Sequence, residues 1–202
     1  MAVRFRALMG AALRWFQGWI PTQLGPCSIG SDDEVPCRTS EWVPSQSCSG
    51  GRLLSMSQPI VLLLSGPNLN LLGERQPEVY GTTTLEDHVV ASTTVASARG
   101  LALEHVQSNH EGELVDAIHA ARGRCAAIVV NPGAFTHYAW AIHDALALFD
   151  GPVVELHLSN PAAREPWRHT SVVAPVADGT VAGFGSLGYR MAIDAVASLL
   201  DG

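Results

Sequence analysis

Lysine is absent from this chain: all 12 basic side chains are arginine. A Schiff-base mechanism, a pyridoxal phosphate site and a P-loop each need a lysine amine, so those three chemistries are closed to it. Positive charge is scarce as well, with 19 acidic residues and a net charge of −7. A nucleic-acid binder would show a basic face to phosphates, so no nucleic-acid partner is expected. An anionic small molecule remains open, because a few placed arginines override the global charge locally. Charged residues make up only 15% of the chain while hydrophobic ones reach 47%. That balance supplies enough apolar surface to offset chain entropy, which points to a globular protein.

Cysteine is also sparse. Cys27, Cys37 and Cys48 fall in the N-terminal quarter, and Cys125 stands alone before an apolar run. No CxxC-type metal spacing occurs, so Cys125 reads as a small buried residue and the other three as exposed, without disulfides, in a reducing compartment. Long apolar runs are missing too. The opening MAVRFRALMGAALRWFQGWI is broken by Arg14, which makes it a poor signal peptide and too short to span a membrane. No membrane partner is expected, and the cytoplasm is the expected location.

At 202 residues the chain holds one well-filled domain with some excess. The excess lies at the front. Pro21 to Gly51 is rich in Ser, Pro and Gly without strand or helix period, the composition of a flexible tail. Residues 1–56 therefore read as a disordered extension with Met56 as an alternative start, a transit peptide being the other option, and 57–202 as the catalytic domain.

From Pro59 onward, apolar β-branched runs alternate with helical spacing. The runs are PIVLLLS, LALEHVQ, AAIVV and PVVELH, with weaker ones at SVVAPV and TVAGFG. Apolar residues three and four apart mark helices from about Leu85 to Ala98, Glu111 to Ala121, Thr136 to Leu148 and Leu187 to Leu200. Short continuous apolar strands separated by helices imply a central parallel sheet covered on both faces, an α/β three-layer sandwich of flavodoxin-like type.

In such sheets ligands bind beyond the carboxyl ends of the strands. Each of the four main runs here ends in an Asn-bearing turn: Gly66-Pro67-Asn68, Ser108-Asn109-His110-Glu111, Asn131-Pro132-Gly133 and His157-Leu158-Ser159-Asn160. Asn109 and Asn160 read as capping residues. Asn68 and Asn131 read as candidate ligands for hydroxyl or enolate oxygens.

The connection GPNLNLLGERQPEVYG is long and bounded by Gly66, Gly73 and Gly81, the form of an active-site lid. Tyr80 on it reads by itself as a rim aromatic. Beside the permanent charge of Arg75 it reads also as a base, because the guanidinium favours the phenolate. Glu155 and His157 are two apart on a strand, so they face the same way. They form either a satisfied structural pair or a general acid held protonated by a carboxylate. Arg164 and Arg168 are four apart, one turn on a helix, able to face one anion near the amides of Leu158 and Ser159. Their other reading is pairing with Glu165. His119 and His143 read as structural, His88 and His105 as surface residues.

Taken in order and spacing, GPNLNLLGERQPEVYG, SNHEGELVDAIH, NPGAFTHYAWAIHDAL, ELHLSNPAAREPWRHTS and VAGFGSLGYRMAI resemble the segments of type II 3-dehydroquinate dehydratase, from about Pro59 to the C-terminus. The resemblance implies conversion of 3-dehydroquinate to 3-dehydroshikimate by anti elimination through an enolate, with no cofactor and no metal. It implies Tyr80 as base, Arg75 as its activator, His157 as general acid, Glu155 as its orienting partner and Asn68 at the enolate. It further implies Asn131, His137 and Arg168 at substrate hydroxyls and the backbone of Leu158 and Ser159 at the carboxylate. Asp144 is expected to reach a neighbouring subunit's site in a homododecamer built from trimers, and Arg164 to sit in a supporting shell or an interface. Two positions depart from the family pattern: Thr170 stands where a second histidine is common, and Gln76 where a glutamate is frequent. A flavodoxin-like flavin or nucleotide binder shares the fold, but it wants a short Gly- or hydroxyl-rich phosphate loop that GPNLNLLGERQPEVYG is not. A metal hydrolase built on His137, Asp144 and His157 lacks recognisable ligand spacing.

Overall fold

The computed structural model describes residues 58–74 and 81–202. The extension expected over residues 1–56, with its three cysteines, lies outside the described residues, as do Arg75, Gln76 and Tyr80. The described chain carries five strands, β1 (Ile60–Ser65), β2 (Ala102–Gln107), β3 (Ala127–Asn131), β4 (Val153–His157) and β5 (Gly179–Ala182). Four α-helices accompany them: α1 (Leu85–Ala98), α2 (Glu111–Ala121), α3 (Trp140–Ala147) and α4 (Leu187–Asp201). The strands form one sheet in the order β2-β1-β3-β4-β5 with every neighbouring pair parallel. That is the flavodoxin-like order.

The two-residue period of the strands divides the core between the two faces. Val61, Leu63, Val129, Val154 and Leu156 point to the side covered by α1 and α4, where Ile193 and Val196 meet them. Leu62, Leu64, Ile128, Val130 and Val153 point to the other side, against Leu114, Ile118, Ile142 and Leu146 of α2 and α3. Each such buried side chain contributes roughly 1.5–3 kcal/mol, and covering both faces is what a parallel sheet requires. α1 starts at a reciprocal cap: Thr84 Oγ1 accepts the Asp87 N–H at 3.2 Å while the Thr84 N–H donates to Asp87 Oδ2 at 3.1 Å. Removing the cap by Thr84→Ala would cost about 1 kcal/mol. Cys125 is a buried free thiol, as its sequence context implied. Among the described residues no helix is long and apolar enough to cross a membrane.

Four expectations differ from the structure. SVVAPV forms no strand; it ends in a 3-10 turn over Ala174–Val176, since Pro175 has no N–H for a ladder. The third helix starts at Trp140, after a separate 3-10 turn over Gly133–His137. Arg164 and Arg168 do not share a helix. Pro166 excludes the helical conformation from the residue before it, and two 3-10 turns, Pro161–Ala163 and Pro166–Arg168, replace the helix with Arg164 extended between them. His88 and His105 are not surface residues. His88 is 2% exposed and its ring stacks on Tyr189, with centroids 4.4 Å apart. His105 is half-buried with Nε2 at 3.1 Å from Ser65 Oγ.

Candidate active site

Two turns at the carboxyl edge, after β1 and after β3, lock into each other. The Gly66 N–H donates to the Asn131 carbonyl at 2.8 Å, and a Cβ at Gly66 would lie 2.4 Å from the Pro132 carbonyl oxygen. Only glycine permits that approach. Asn68, just beyond, has φ 62°, the one positive value among described non-glycine residues. Asparagine tolerates this left-handed conformation better than most residues. The Asn68 N–H donates to Asn109 Oδ1 at 2.8 Å, so Asn109 supports the turn, in keeping with its reading as a structural residue. Asn160 Oδ1 likewise accepts the Ala162 N–H at 3.1 Å.

Glu155 and His157 leave β4 on the same face, toward the α2 and α3 layer. Glu155 is 1% exposed. His157 Nε2 donates to its Oε1 at 2.8 Å, and Thr136 Oγ1 donates to the same oxygen. Ser171 Oγ lies 3.0 and 3.1 Å from the two carboxylate oxygens and accepts the N–H groups of Val173 and Ala174. Burial pushes the Glu155 carboxyl up, but the bonds and charge from His157, with Thr136 and Ser171, outweigh it and hold the group below its ordinary value. An ionised carboxylate is thus kept under the imidazole. His157 Nε2 is committed to it, which leaves Nδ1 as the other ring nitrogen for a polar partner.

One pocket gathers Asn68, Asn131, His137, His157, Leu158, Ser159 and Arg168 at this edge. His137 Nδ1 donates to the Thr170 carbonyl at 2.7 Å, turning Nε2 into play. Because that partner is backbone, the departure at Thr170 does not touch it. Arg168 Nε donates to Glu165 at 2.8 Å, its guanidinium lies 3.9 Å over the Trp167 ring, and Arg164 meets the same carboxylate at 3.4 Å. Both arginines line the pocket. Both guanidiniums thus stand at the pocket, and arginine is suited to bind an anionic group.

The structure therefore brings together seven of the sequence-derived site residues and places Glu155 directly behind His157. Asp144 is not among the pocket residues; it is exposed on α3. Arg75 and Tyr80 fall outside the described residues. Arg164, expected in a supporting shell or an interface, lines the pocket itself and donates to Ser159 Oγ at 3.3 Å. Sequence reasoning missed Thr136 and Ser171 as partners of Glu155, and Tyr189, whose hydroxyl accepts from Asn131 Nδ2 at 3.2 Å. For Tyr189 a signal existed, since it sits at the start of an apolar helix stripe inside GSLGYRMAI.

The family model described as dehydroquinase class II matches residues 59–197. The 3-dehydroquinate dehydratase 2 of Pseudomonas putida is 55% identical over 144 residues, which cover 71% of this chain and 97% of that protein. The catabolic 3-dehydroquinase of Aspergillus clavatus is 53% identical over 137 residues, 68% of this chain and 91% of that one. Among solved structures, the type II dehydroquinase from Propionibacterium acnes matches with a TM-score of 0.67 at 42% identity, covering 69% of this chain and 96% of its own. A parallel sheet in flavodoxin-like order, an Asn-lined rim and this match across most of the chain lead to one conclusion: the chain belongs to the class II dehydroquinase family.

Proposed function

We propose that this pocket removes water from 3-dehydroquinate to give 3-dehydroshikimate, by anti elimination through an enolate. The activity is that of a hydro-lyase, 3-dehydroquinate dehydratase, the name its relatives carry. The observation that carries the assignment of roles is the His157–Glu155 pair facing Asn68, Asn131 and two arginines in one pocket.

The chemistry needs a base beside the ketone, a place for the enolate charge and a proton for the departing hydroxyl. In this reading Tyr80, activated by Arg75, breaks the C–H bond, and the electron pair moves onto the ketone oxygen. Asn68 stabilises that oxygen; preorganised polar donors of this kind commonly supply about 3 kcal/mol. The enolate then collapses, the C–O bond breaks, and His157 Nδ1 gives its proton so that water leaves. Glu155 holds the imidazole. Asn131, His137 and Arg168 bind hydroxyls, and the backbone of Leu158 and Ser159 takes the carboxylate. These groups supply base, acid and charge acceptor from the chain itself.

The same reading makes residues 57–202 the catalytic unit and assembles it as a homododecamer of trimers, with Asp144 reaching a neighbouring site. Supporting that assembly, Trp140 is 63% exposed and lies one turn from exposed Asp144, so ring and carboxylate share one face of α3. The direct test is the rise in ultraviolet absorbance of the enone when purified protein meets 3-dehydroquinate. Tyr80→Phe is expected to abolish the rise while leaving substrate binding largely intact, and a wild-type protein giving no rise would overturn the assignment.

A further inference from the structure

A line of hydrogen bonds leaves the pocket at Asn131 and runs into the layer beneath α1 and α4. Tyr189 on α4 is 0% exposed. Its hydroxyl accepts from Asn131 Nδ2 at 3.2 Å and also bonds the Ser65 side chain. Ser65 is itself 0% exposed, and its Oγ lies 3.1 Å from His105 Nε2. Neither Tyr189, Ser65 nor His105 is among the residues lining the pocket.

The direction of this line is set by which His105 nitrogen carries the ring proton. Burial pushes His105 down, which favours the neutral ring, and in the tautomer with its proton on Nδ1 that ring accepts at Nε2. Burial pushes Tyr189 up to about 12, so it keeps its one proton. Ser65 then donates to His105, Tyr189 donates to Ser65, and Tyr189 has only acceptor capacity left for Asn131. The amide must turn its nitrogen toward Tyr189. On its other side the Gly133 N–H, which can only donate, reaches Asn131 Oδ1 at 3.4 Å. Both neighbours demand the same orientation, and the Gly133 contact is the longer and weaker of the two. The terminal torsion of an asparagine is broad and nearly two-fold, so little else resists a flip that would exchange donor and acceptor toward the ligand.

We propose that Tyr189 is a positioning residue that fixes the orientation of the Asn131 amide in the pocket, anchored in turn by Ser65 and His105. The proposal rests on reading Asn131 as a substrate-hydroxyl contact. Tyr189→Phe removes the hydroxyl and keeps the ring stacked on His88. Turnover and KM for 3-dehydroquinate are measured in wild type, Tyr189→Phe, Asn131→Ala and the double variant. Tyr189→Phe is expected to lower kcat/KM about tenfold, mainly through KM, as a lost hydrogen bond to a pocket group would. In the Asn131→Ala background the same change should do nothing further, because coupled residues are non-additive.

Losses that add in the double variant, or a Tyr189→Phe enzyme within twofold of wild type, overturn the proposal while leaving the pocket reading of Asn131 in place. An Asn131→Ala enzyme with unchanged kcat/KM overturns both. If Tyr189→Phe does not fold, Ser65→Ala tests the same line by removing the hydroxyl bonded to Tyr189. It should raise KM severalfold in wild type and not at all beside Asn131→Ala; an unchanged KM in the wild-type background overturns the proposal.

Discussion

Each layer flanking the sheet carries a buried polar cluster at the carboxyl edge, and the two are built differently. On the side of α2 and α3, Thr136, Ser171 and His157 surround the ionised Glu155. On the side of α1 and α4, Asn131, Tyr189, Ser65 and His105 form a line of neutral groups. Strand parity assigns the sides: Glu155 and His157 are two apart on β4, while Ser65 and Asn131 are register partners across β1 and β3. A buried charge needs several donors at once. A buried amide carries no charge to compensate, and Asn131 is held by two partners, Tyr189 and the Gly133 N–H. In the proposed mechanism the charged cluster goes with the imidazole that transfers a proton, and the neutral one with a group that only recognises.

Breaking the charged side should cost most. His157→Ala is expected to lower kcat by about 100- to 10,000-fold, as loss of a general acid does, with a much smaller change in KM; steady-state kinetics checks it. A mutant within a few-fold of wild-type turnover would leave His157 a structural residue.

Glu155→Gln removes one charged hydrogen-bond partner, worth about 1.5–3 kcal/mol, so kcat should fall about 10- to 100-fold. It should also change the response to acid. A carboxyl depressed on folding adds stability above its ordinary value of 4.5 and loses it as pH falls through the folded value. The wild-type urea midpoint should therefore drop on acidification below that range, and the Glu155→Gln midpoint should drop less. Equal acid limbs would mean that Glu155 is not held ionised.

The neutral side should fail at the opposite end of the scale. Tyr189 is raised from 10 to about 12, so between those values the unfolded chain releases a proton that the folded chain retains. Stability then falls as pH rises, by about 3 kcal/mol from this group. Denaturant midpoints at both pH values should show Tyr189→Phe losing less than wild type, and parallel losses would remove the phenol from the alkaline limb.

The smallest effect concerns the same layer. Ser92 is 0% exposed and its Oγ finds no partner among the described residues. Ser92→Ala should stabilise by about 1 kcal/mol, since it removes an unsatisfied hydroxyl and suits a helix better. A lowered melting temperature would show that the hydroxyl is satisfied.

Much of the frame was legible because its signals are local. Three-and-four spacing marked α1, α2 and α4 to within a residue of their ends, and four apolar runs marked the main strands. His88 shows a signal that was present and misread. It shares the inner stripe of α1 with Leu85, Ser92 and Ala96, a spacing that places it inside, while its polarity suggests the surface. Arg164 and Arg168 show the reverse: the four-residue spacing suggests a helix that Pro166 forbids, yet both side chains still reach the pocket.

The sequence by itself determined the layers, the Asn-bearing turns at one edge and, through five linked motifs, the family and its reaction. Only the tertiary structure decided what holds each group in that edge: Thr136 and Ser171 under Glu155, Tyr189 under Asn131, and Asp144 away from the pocket. Periodicity reports which way a residue faces within its own strand or helix. A hydrogen-bond partner 58 positions away, as Tyr189 is from Asn131, is chosen by how a helix packs across the sheet, and no local spacing encodes that distance.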